Sequence, residues 1–150
     1  MAIKIGDHFP GFTLNDHNSN AFDTNSLLGK TNLIIYFYPK NETYNCTKQA
    51  CNFRDDFSTF RNLDCEIIGV SNDSPKSHLS FKKNHNLPFT LLSDRNGEIQ
   101  KKLELPRNIF GLIPGRITFV IDKKGIVIKI IDSAINMRKH IEDALNSLSN

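Results

Sequence analysis

Two largely apolar runs constrain the fold of this chain more than any other feature of its sequence. The first is Asn-Leu-Ile-Ile-Tyr-Phe-Tyr at residues 32–38, and the second is Cys-Glu-Ile-Ile-Gly-Val-Ser at residues 65–71. Apolar runs of this length are typical of strands that are buried on both faces of a sheet. The segment between them, residues 46–62, has the apolar spacing of a helix. The sequence therefore predicts a strand–helix–strand unit.

Shorter patterns on both sides of this unit complete the predicted sheet. A helix is predicted from Pro75 to about residue 86. Ser74 and Pro75 have the residue types of its N-cap and its first helical position. The remaining predicted elements are a hairpin of residues 12–15 and 21–22, a strand at 90–92, a helix at 97–104, a loop at 111–115, a hairpin of residues 116–122 and 126–131, and an amphipathic helix after residue 136. We predict one α/β domain over residues 1–150. It is a sandwich with a central mixed β-sheet, helices on both faces and an N-terminal β-hairpin.

The charge distribution argues against nucleic acid and membranes as partners. The chain has 19 Lys and Arg residues against 16 Asp and Glu residues, and its paired lysines are scattered along the sequence. Scattered basic residues are typical of a solvated surface. No apolar run approaches the roughly 20 residues that span a bilayer, and the first residues lack the apolar region of a signal peptide. We therefore expect a cytoplasmic protein.

The three cysteines, Cys46, Cys51 and Cys65, are an odd number, which argues against a disulfide framework. In a reducing compartment, cysteines are catalytic, metal-binding or plain core residues. Cys46 lies in the first turn of the predicted helix, on the same inward stripe as Ala50. Free backbone N–H groups and the positive end of the helix dipole favour the nucleophilic thiolate there. The alternative is that these cysteines simply pack in the core, and we assign that role to Cys65.

Helix geometry separates Cys46 from Cys51. Five residues along a helix correspond to a rotation of about 140° and a rise of about 7.5 Å, which places the two Cα atoms roughly 8.6 Å apart. A disulfide requires a Cα separation below about 7 Å. The two cysteines can therefore pair only if the first turns of the helix unwind. We hypothesise a closed helix that presents the thiolate and an unwound form that carries the disulfide.

A longer motif surrounds Cys46. Pro39, Thr43 and Cys46 form the pattern Pro-x3-Thr-x2-Cys, and Cys51 follows. Together with segments at residues 5–12, 69–78, 87–94 and 115–122, this motif resembles the peroxiredoxin family, in the subgroup called peroxiredoxin Q or bacterioferritin comigratory protein. The resemblance covers nearly the whole chain. It implies a thioredoxin-like form of the sandwich, thiol-dependent peroxidase activity without a cofactor, and a monomer.

The resemblance also implies roles for individual residues. Cys46 would attack a peroxide oxygen and become a sulfenic acid. The Thr43 hydroxyl would bind the peroxide and the thiolate, and it also suits a helix N-cap. Pro39 would shield the sulfur, and it also ends the buried strand. Arg116 would hold the thiolate and stabilise the charge that develops on the leaving oxygen; its alternative is a surface arginine that begins a strand. Backbone N–H groups at Asn45 and Cys46 would complete the pocket.

Cys51 matches the resolving cysteine of the subgroup. It would attack the sulfenic acid and form an intramolecular disulfide, which thioredoxin or a similar dithiol protein would reduce. The substrates implied are hydrogen peroxide and organic hydroperoxides. Gln49 and Arg54 match family positions near the site and are expected to support it.

One position departs from the family pattern, which has Pro-Gly where this chain has Tyr44-Asn45. Proline restricts φ and glycine permits positive φ, so the loop stiffness changes. Asparagine is the best replacement for glycine at positive φ. We therefore expect the pocket to be preserved with altered access or rate.

Other classes of protein fit less well. A thiol–disulfide oxidoreductase requires Cys-x-x-Cys, which is absent from the sequence. A zinc module requires four closely paired ligands, whereas the five histidines are scattered. No glycine-rich phosphate loop is present. A redox sensor that uses a Cys46–Cys51 switch remains as the noncatalytic alternative, and turnover with thioredoxin distinguishes it from an enzyme.

Overall fold

A seven-stranded mixed sheet lies at the centre of the computed structural model, which describes residues 2–108, 113–133 and 136–149, without the side chains of residues 107, 108, 113 and 114. Its described strands are β1 (Thr13–Asp16), β2 (Ala21–Asp23), β3 (Asn32–Phe37), β4 (Cys65–Ser71), β5 (Thr90–Ser93), β6 (Arg107–Asn108), β7 (Ile113–Pro114), β8 (Ile117–Ile121) and β9 (Val127–Asp132). The large sheet has the order β2-β1-β5-β4-β3-β8-β9, and β6 pairs with β7 separately. Strands β5, β4 and β3 run parallel, and the other pairs are antiparallel.

The helices cover the sheet unequally. They are α1 (Tyr44–Asp55), α2 (Phe57–Asn62), α3 (Pro75–His85), α4 (Glu98–Lys102) and α5 (Met137–Ser149). Apolar residues of α1, α2, α3 and α5 join one core cluster with Ile34, Tyr36 and Val120 of the sheet. The opposite face packs against the N-terminal segment and against Ile99 of the short helix α4. The predicted thioredoxin-like α/β sandwich, with a mixed sheet, helices on both faces and an N-terminal hairpin, is confirmed.

The two apolar runs form the adjacent central strands, as expected from their composition. Residues Leu33 to Phe37 of β3 are at most 1% exposed, because the sheet is covered on both faces. The start of α3 also follows its local signals: the Ser74 side chain accepts a hydrogen bond from the Ser77 backbone N–H, and Pro75 opens the helix. Both features depend on interactions within a few residues, which sequence patterns capture well.

Several predicted boundaries were wrong. The single helix at 46–62 is two helices, because Asp56 has a nonhelical ψ of 11° and separates α1 from α2. Helix α1 begins two residues earlier than predicted, at Tyr44. Arg116 precedes β8 rather than beginning it, and it is buried. Of the predicted loop at 111–115, residues 111 and 112 lie outside the described residues, and Ile113–Pro114 form the short strand β7 instead of a loop.

Candidate active site

Cys46 is the third residue of α1, at the end of the sheet where β3 stops. Its side chain is 1% exposed and lies on the inward face with Gln49, Ala50 and Phe53. The backbone N–H groups of the first helical turn have no partner within the helix, so they present positive charge to this region. The predicted inward placement of Cys46 is therefore what the structure has.

Arg116 is the residue in contact with the Cys46 sulfur. Its Nη2 donates a hydrogen bond to Cys46 Sγ at 3.2 Å, and its Nη1 donates to Gln49 Oε1 at 2.5 Å. Both partners lie one turn apart on α1, so one rigid guanidinium fork spans them. Arg116 is only 5% exposed, which excludes the alternative of a surface arginine. A buried positive group in direct contact with the sulfur stabilises negative charge on it.

The other two cysteines lie in different surroundings. Cys51 is half-buried on α1, and all three cysteines carry free thiols. Cys51 lines an open groove of about 520 Å³ whose wall includes Tyr44 and His85. Cys65 begins β4 and is buried, and desolvation together with the nearby Glu66 charge raises the pKa of its thiol to about 12. A thiol with this pKa is almost entirely protonated near neutrality and is therefore a poor nucleophile.

Thr43 and Pro39 both lie in the segment between β3 and α1. Thr43 occupies the N-cap position of α1, but its hydroxyl donates to the Lys40 carbonyl at 2.9 Å and makes no capping hydrogen bond. Its oxygen lone pairs stay available to accept a hydrogen bond from a bound molecule. Pro39 is half-buried and follows the last buried residue of the β3 run, Tyr38. The roles predicted for both residues stay predictions.

The replacement of Pro-Gly by Tyr44-Asn45 does not act through positive φ. Both residues lie in the first turn of α1, and neither has a positive φ. The positive φ in this segment belongs to Glu42, at 64°. The position that adopts a positive φ is therefore Glu42, and not Asn45 as expected from the sequence. The Tyr44 side chain is 80% exposed and is one of the groove residues, so the replacement changes the entrance near Cys51.

A buried polar network that was not predicted fixes the loop that leads to α1. Asn41 donates from Nδ2 to His78 Nδ1 at 3.0 Å and accepts from the Tyr38 hydroxyl at 2.6 Å. Its backbone N–H donates to Asp73 at 2.8 Å. His78 lies on α3 and donates from Nε2 to the Leu92 carbonyl at 2.9 Å. The network connects the loop to α3 and β5, and it requires a neutral His78 because Nδ1 must accept.

Glu42 adds an exposed contact between the same loop and the end of α3. Its carboxylate lies 2.7 Å from His85 Nε2 and 2.8 Å from Asn84 Nδ2. These two hydrogen bonds lower the pKa of Glu42. The segment between Tyr38 and α1 is thus held by α3 through both a buried and an exposed set of side chains.

Because His78 is buried, the free energy of unfolding depends on pH in the acidic range. Burial lowers the pKa of His78 to about 4, partly opposed by the Asp73 carboxylate. Because the pKa of His78 is lower in the folded protein than in the unfolded chain, neutral His78 contributes fully to the free energy of unfolding only above the unfolded-state pKa, near 6.5. This contribution is lost as the pH falls toward 4. We expect this loss to reach about 3 kcal/mol at pH 4, at up to about 1.4 kcal/mol per pH unit.

Urea unfolding of the wild type and His78→Asn between pH 7.5 and 4 measures this contribution. The variant should be less stable at pH 7.5 but should lose stability less steeply below pH 6.5, because asparagine takes up no proton. His140, whose pKa burial also lowers, contributes in both proteins and cancels in the comparison. Identical slopes for the two proteins would contradict the assignment of a neutral His78.

Within residues 2–108, 113–133 and 136–149, no three His, Cys, Asp or Glu side chains converge as a metal-binding group. Of the helices that the structure describes, none is long and apolar enough to cross a membrane.

Known proteins resemble this chain over most of its length. The AhpC/TSA family matches residues 5–130. The chain is 43% identical over 146 residues to chloroplastic peroxiredoxin Q of Populus jackii, covering 97% of this chain and 68% of that protein. It is 41% identical to chloroplastic peroxiredoxin Q of Arabidopsis thaliana, covering 97% of this chain and 67% of that protein.

Solved structures agree with the sequence comparisons. Peroxidoxin BcpB from Mycobacterium tuberculosis has a TM-score of 0.89 and 31% identity, covering 98% of this chain and 97% of that chain. A mutant of peroxiredoxin Q from Xylella fastidiosa has a TM-score of 0.87 and 25% identity, covering 98% and 96%. The bacterioferritin comigratory protein of Xanthomonas campestris, described for alkyl peroxide reduction, has a TM-score of 0.81 and 26% identity, covering 92% and 90%.

Proposed function

We propose roles for two cysteines from the premise that this chain belongs to the AhpC/TSA family and is a peroxidase of the peroxiredoxin Q group. Cys46 is the peroxidatic cysteine, and Cys51 is the resolving cysteine. The observation that carries the proposal is the contact of the buried Arg116 guanidinium with Cys46 Sγ at 3.2 Å. Among the three cysteines, only Cys46 has a cationic side chain as a hydrogen-bond donor in the described residues. This is the environment that a nucleophilic thiolate requires.

The first chemical step follows from this contact. The Cys46 thiolate attacks one peroxide oxygen, so that an S–O bond forms while the O–O bond breaks. The leaving oxygen carries negative charge until it takes up a proton and departs as water or an alcohol. Arg116 stabilises this charge, and the Thr43 hydroxyl oxygen accepts a hydrogen bond from the peroxide. Cys46 is left as a sulfenic acid.

The second step uses Cys51. Its thiolate attacks the Cys46 sulfur, forming an S–S bond and releasing the sulfenic oxygen as water after protonation. An external dithiol protein such as thioredoxin then reduces the disulfide by thiol–disulfide exchange. Cys51 lies at the open groove with Tyr44 and Lys48, which gives a reductant access to this part of α1.

The substrate range that we propose includes hydrogen peroxide and organic hydroperoxides. The Xanthomonas campestris protein described for alkyl peroxide reduction supports the second class of substrate. A monomeric state and a cytoplasmic location stay predictions from the sequence. The redox-sensor alternative has no contact in its favour among the described residues, and it predicts slow cycling with thioredoxin.

Single-turnover measurements with Arg116→Lys test the proposal. Lysine keeps the charge but cannot span Cys46 and Gln49 as a fork. Removing one transition-state donor typically costs about 10²- to 10³-fold in rate, so we expect the second-order rate with hydrogen peroxide to fall by at least about a hundredfold. Stopped-flow measurement of peroxide consumption by the reduced protein gives this rate.

The matched control is Arg95→Lys, because Arg95 is exposed and lies away from Cys46. It should react at the wild-type rate. A wild type that consumes no peroxide, or an Arg116→Lys variant as fast as the Arg95→Lys control, would contradict the roles assigned to Cys46 and Arg116.

A further inference from the structure

Tyr36 is a buried tyrosine that the peroxidase chemistry does not use. It lies on β3, is 1% exposed, and stacks on Phe53 of α1 with ring centroids 4.8 Å apart. Its register partner on the neighbouring strand is Gly69. A methyl group at position 69 would lie 2.9 Å from Tyr36 Cζ and 3.0 Å from its Oη. The phenol therefore lies between the β4 backbone at Gly69 and helix α1.

The Tyr36 hydroxyl has no hydrogen-bond partner among the residues that the structure describes. The neighbouring Tyr38, also buried, donates its hydroxyl to Asn41 at 2.6 Å. Buried polar groups in native proteins are almost always paired, because an unpaired one loses its hydrogen bonds to water without replacement. An unpaired hydroxyl at this position therefore destabilises the arrangement that buries it.

Helix α1 contributes to the core cluster that buries this hydroxyl. Cys46, Ala50 and Phe53, all on the inward face of α1, belong to the same core cluster as Tyr36. Burial raises the pKa of the Tyr36 phenol well above its usual range, the charges of Cys46 and Cys51 raise it further, and Arg116 opposes them. The hydroxyl thus lies within electrostatic reach of both sulfurs.

We propose that Tyr36 is a positioning residue for disulfide formation, because its unpaired hydroxyl favours the unwound form of α1. In the closed helix the hydroxyl is buried and has no partner among the described residues. When the turns between Cys46 and Cys51 unwind, water reaches it and pairs it. The inference rests on the proposed function, since the Cys46–Cys51 bond is what makes unwinding part of the reaction. Tyr36 takes no part in the covalent chemistry.

Tyr36→Phe is the variant that tests this, because it removes one oxygen and keeps the stacked ring. The penalty of an unpaired buried hydroxyl corresponds to a factor of about 5 to 150 in an equilibrium. In the reduced protein, amide hydrogen exchange of residues 48–52 should slow by this factor, because exchange reports the opening equilibrium. After one equivalent of hydrogen peroxide, the Cys46 sulfenic acid should convert to the disulfide more slowly by a similar factor.

Tyr38→Phe is the matched control, since it makes the same chemical change at a buried hydroxyl that is paired. It leaves Asn41 without its donor, so exchange in the loop and α1 should become faster rather than slower. Unchanged exchange of residues 48–52 in Tyr36→Phe, or slower exchange in both variants, would overturn the inference. A wild type that forms no Cys46–Cys51 disulfide would instead overturn the proposed function, while the exchange comparison on the reduced protein still decides the role of Tyr36.

Discussion

We expect Cys46→Ser to abolish the reaction with peroxide, so that peroxide consumption in the presence of thioredoxin should fall to the background of the buffer. The physical reason is the loss of the nucleophile. A serine hydroxyl at the same position stays protonated near neutrality, because the Arg116 contact and the helix N-terminus cannot ionise a group as weakly acidic as an alcohol. The fold should be retained, since serine replaces a side chain of similar size.

The matched control for this prediction is Cys65→Ser. Cys65 is also buried, but its sulfur donates to the Glu66 carbonyl at 3.4 Å and contacts no cationic donor in the described residues. A serine can make the same hydrogen bond, so peroxide consumption should stay at the wild-type rate. Thioredoxin-coupled peroxide assays and circular dichroism of both variants measure activity and folding. Peroxidase activity in folded Cys46→Ser protein, or its loss in Cys65→Ser, would assign the reaction to the wrong cysteine.

The parts of the fold that the sequence predicted correctly depend on short-range signals. The apolar runs at 32–38 and 65–71 indicated buried central strands, and Ser74 with Pro75 indicated the start of α3. The inward direction of Cys46 followed from the helical period alone. In each case the deciding interaction lies within one or two turns, or in the composition of a single strand.

The parts that were missed depend on contacts between residues far apart in the chain. Arg116 and Gln49 are 67 positions apart, and Asn41 and His78 are 37 apart. Such pairs meet only because β8 lies beside β3 and α3 packs on the same face as α1, and no local pattern reports this. The family resemblance indicated that Arg116 would hold the Cys46 thiolate, but it did not indicate the second hydrogen bond from the guanidinium to Gln49.

The break at Asp56 and the unpaired Tyr36 hydroxyl have a similar origin. Residues 46–62 have one helical apolar period, and the period gives no sign that the backbone departs from the helix at Asp56. The position of Tyr36 depends on the missing side chain at Gly69 across the sheet. A glycine in a strand signals close approach of another group, but the register that makes Tyr36 that group appears only in the folded sheet.

Cys51→Ser separates the two steps of the proposed reaction. The variant should consume one equivalent of peroxide at the wild-type rate, because Cys46, Arg116 and Gln49 are untouched. Recycling by thioredoxin should then stop, since a serine hydroxyl cannot form a disulfide with the Cys46 sulfenic acid. Mass spectrometry with peptide mapping after one equivalent of hydrogen peroxide should find a loss of two hydrogens at a Cys46–Cys51 link in the wild type, and a gain of one oxygen on Cys46 in the variant.

While α1 stays helical, Cys46 and Cys51 are too far apart to form a disulfide. Both cysteines lie in one continuous helix, Cys46 in its first turn and buried, and Cys51 half-buried beside the groove. A helix fixes their Cα atoms roughly 8.6 Å apart, beyond the reach of a disulfide. A mapped Cys46–Cys51 link therefore means that α1 unwinds after each oxidation. If the wild type instead keeps a sulfenic or sulfinic acid on Cys46, and Cys51→Ser recycles as well as the wild type, then α1 stays closed and the enzyme works with one cysteine.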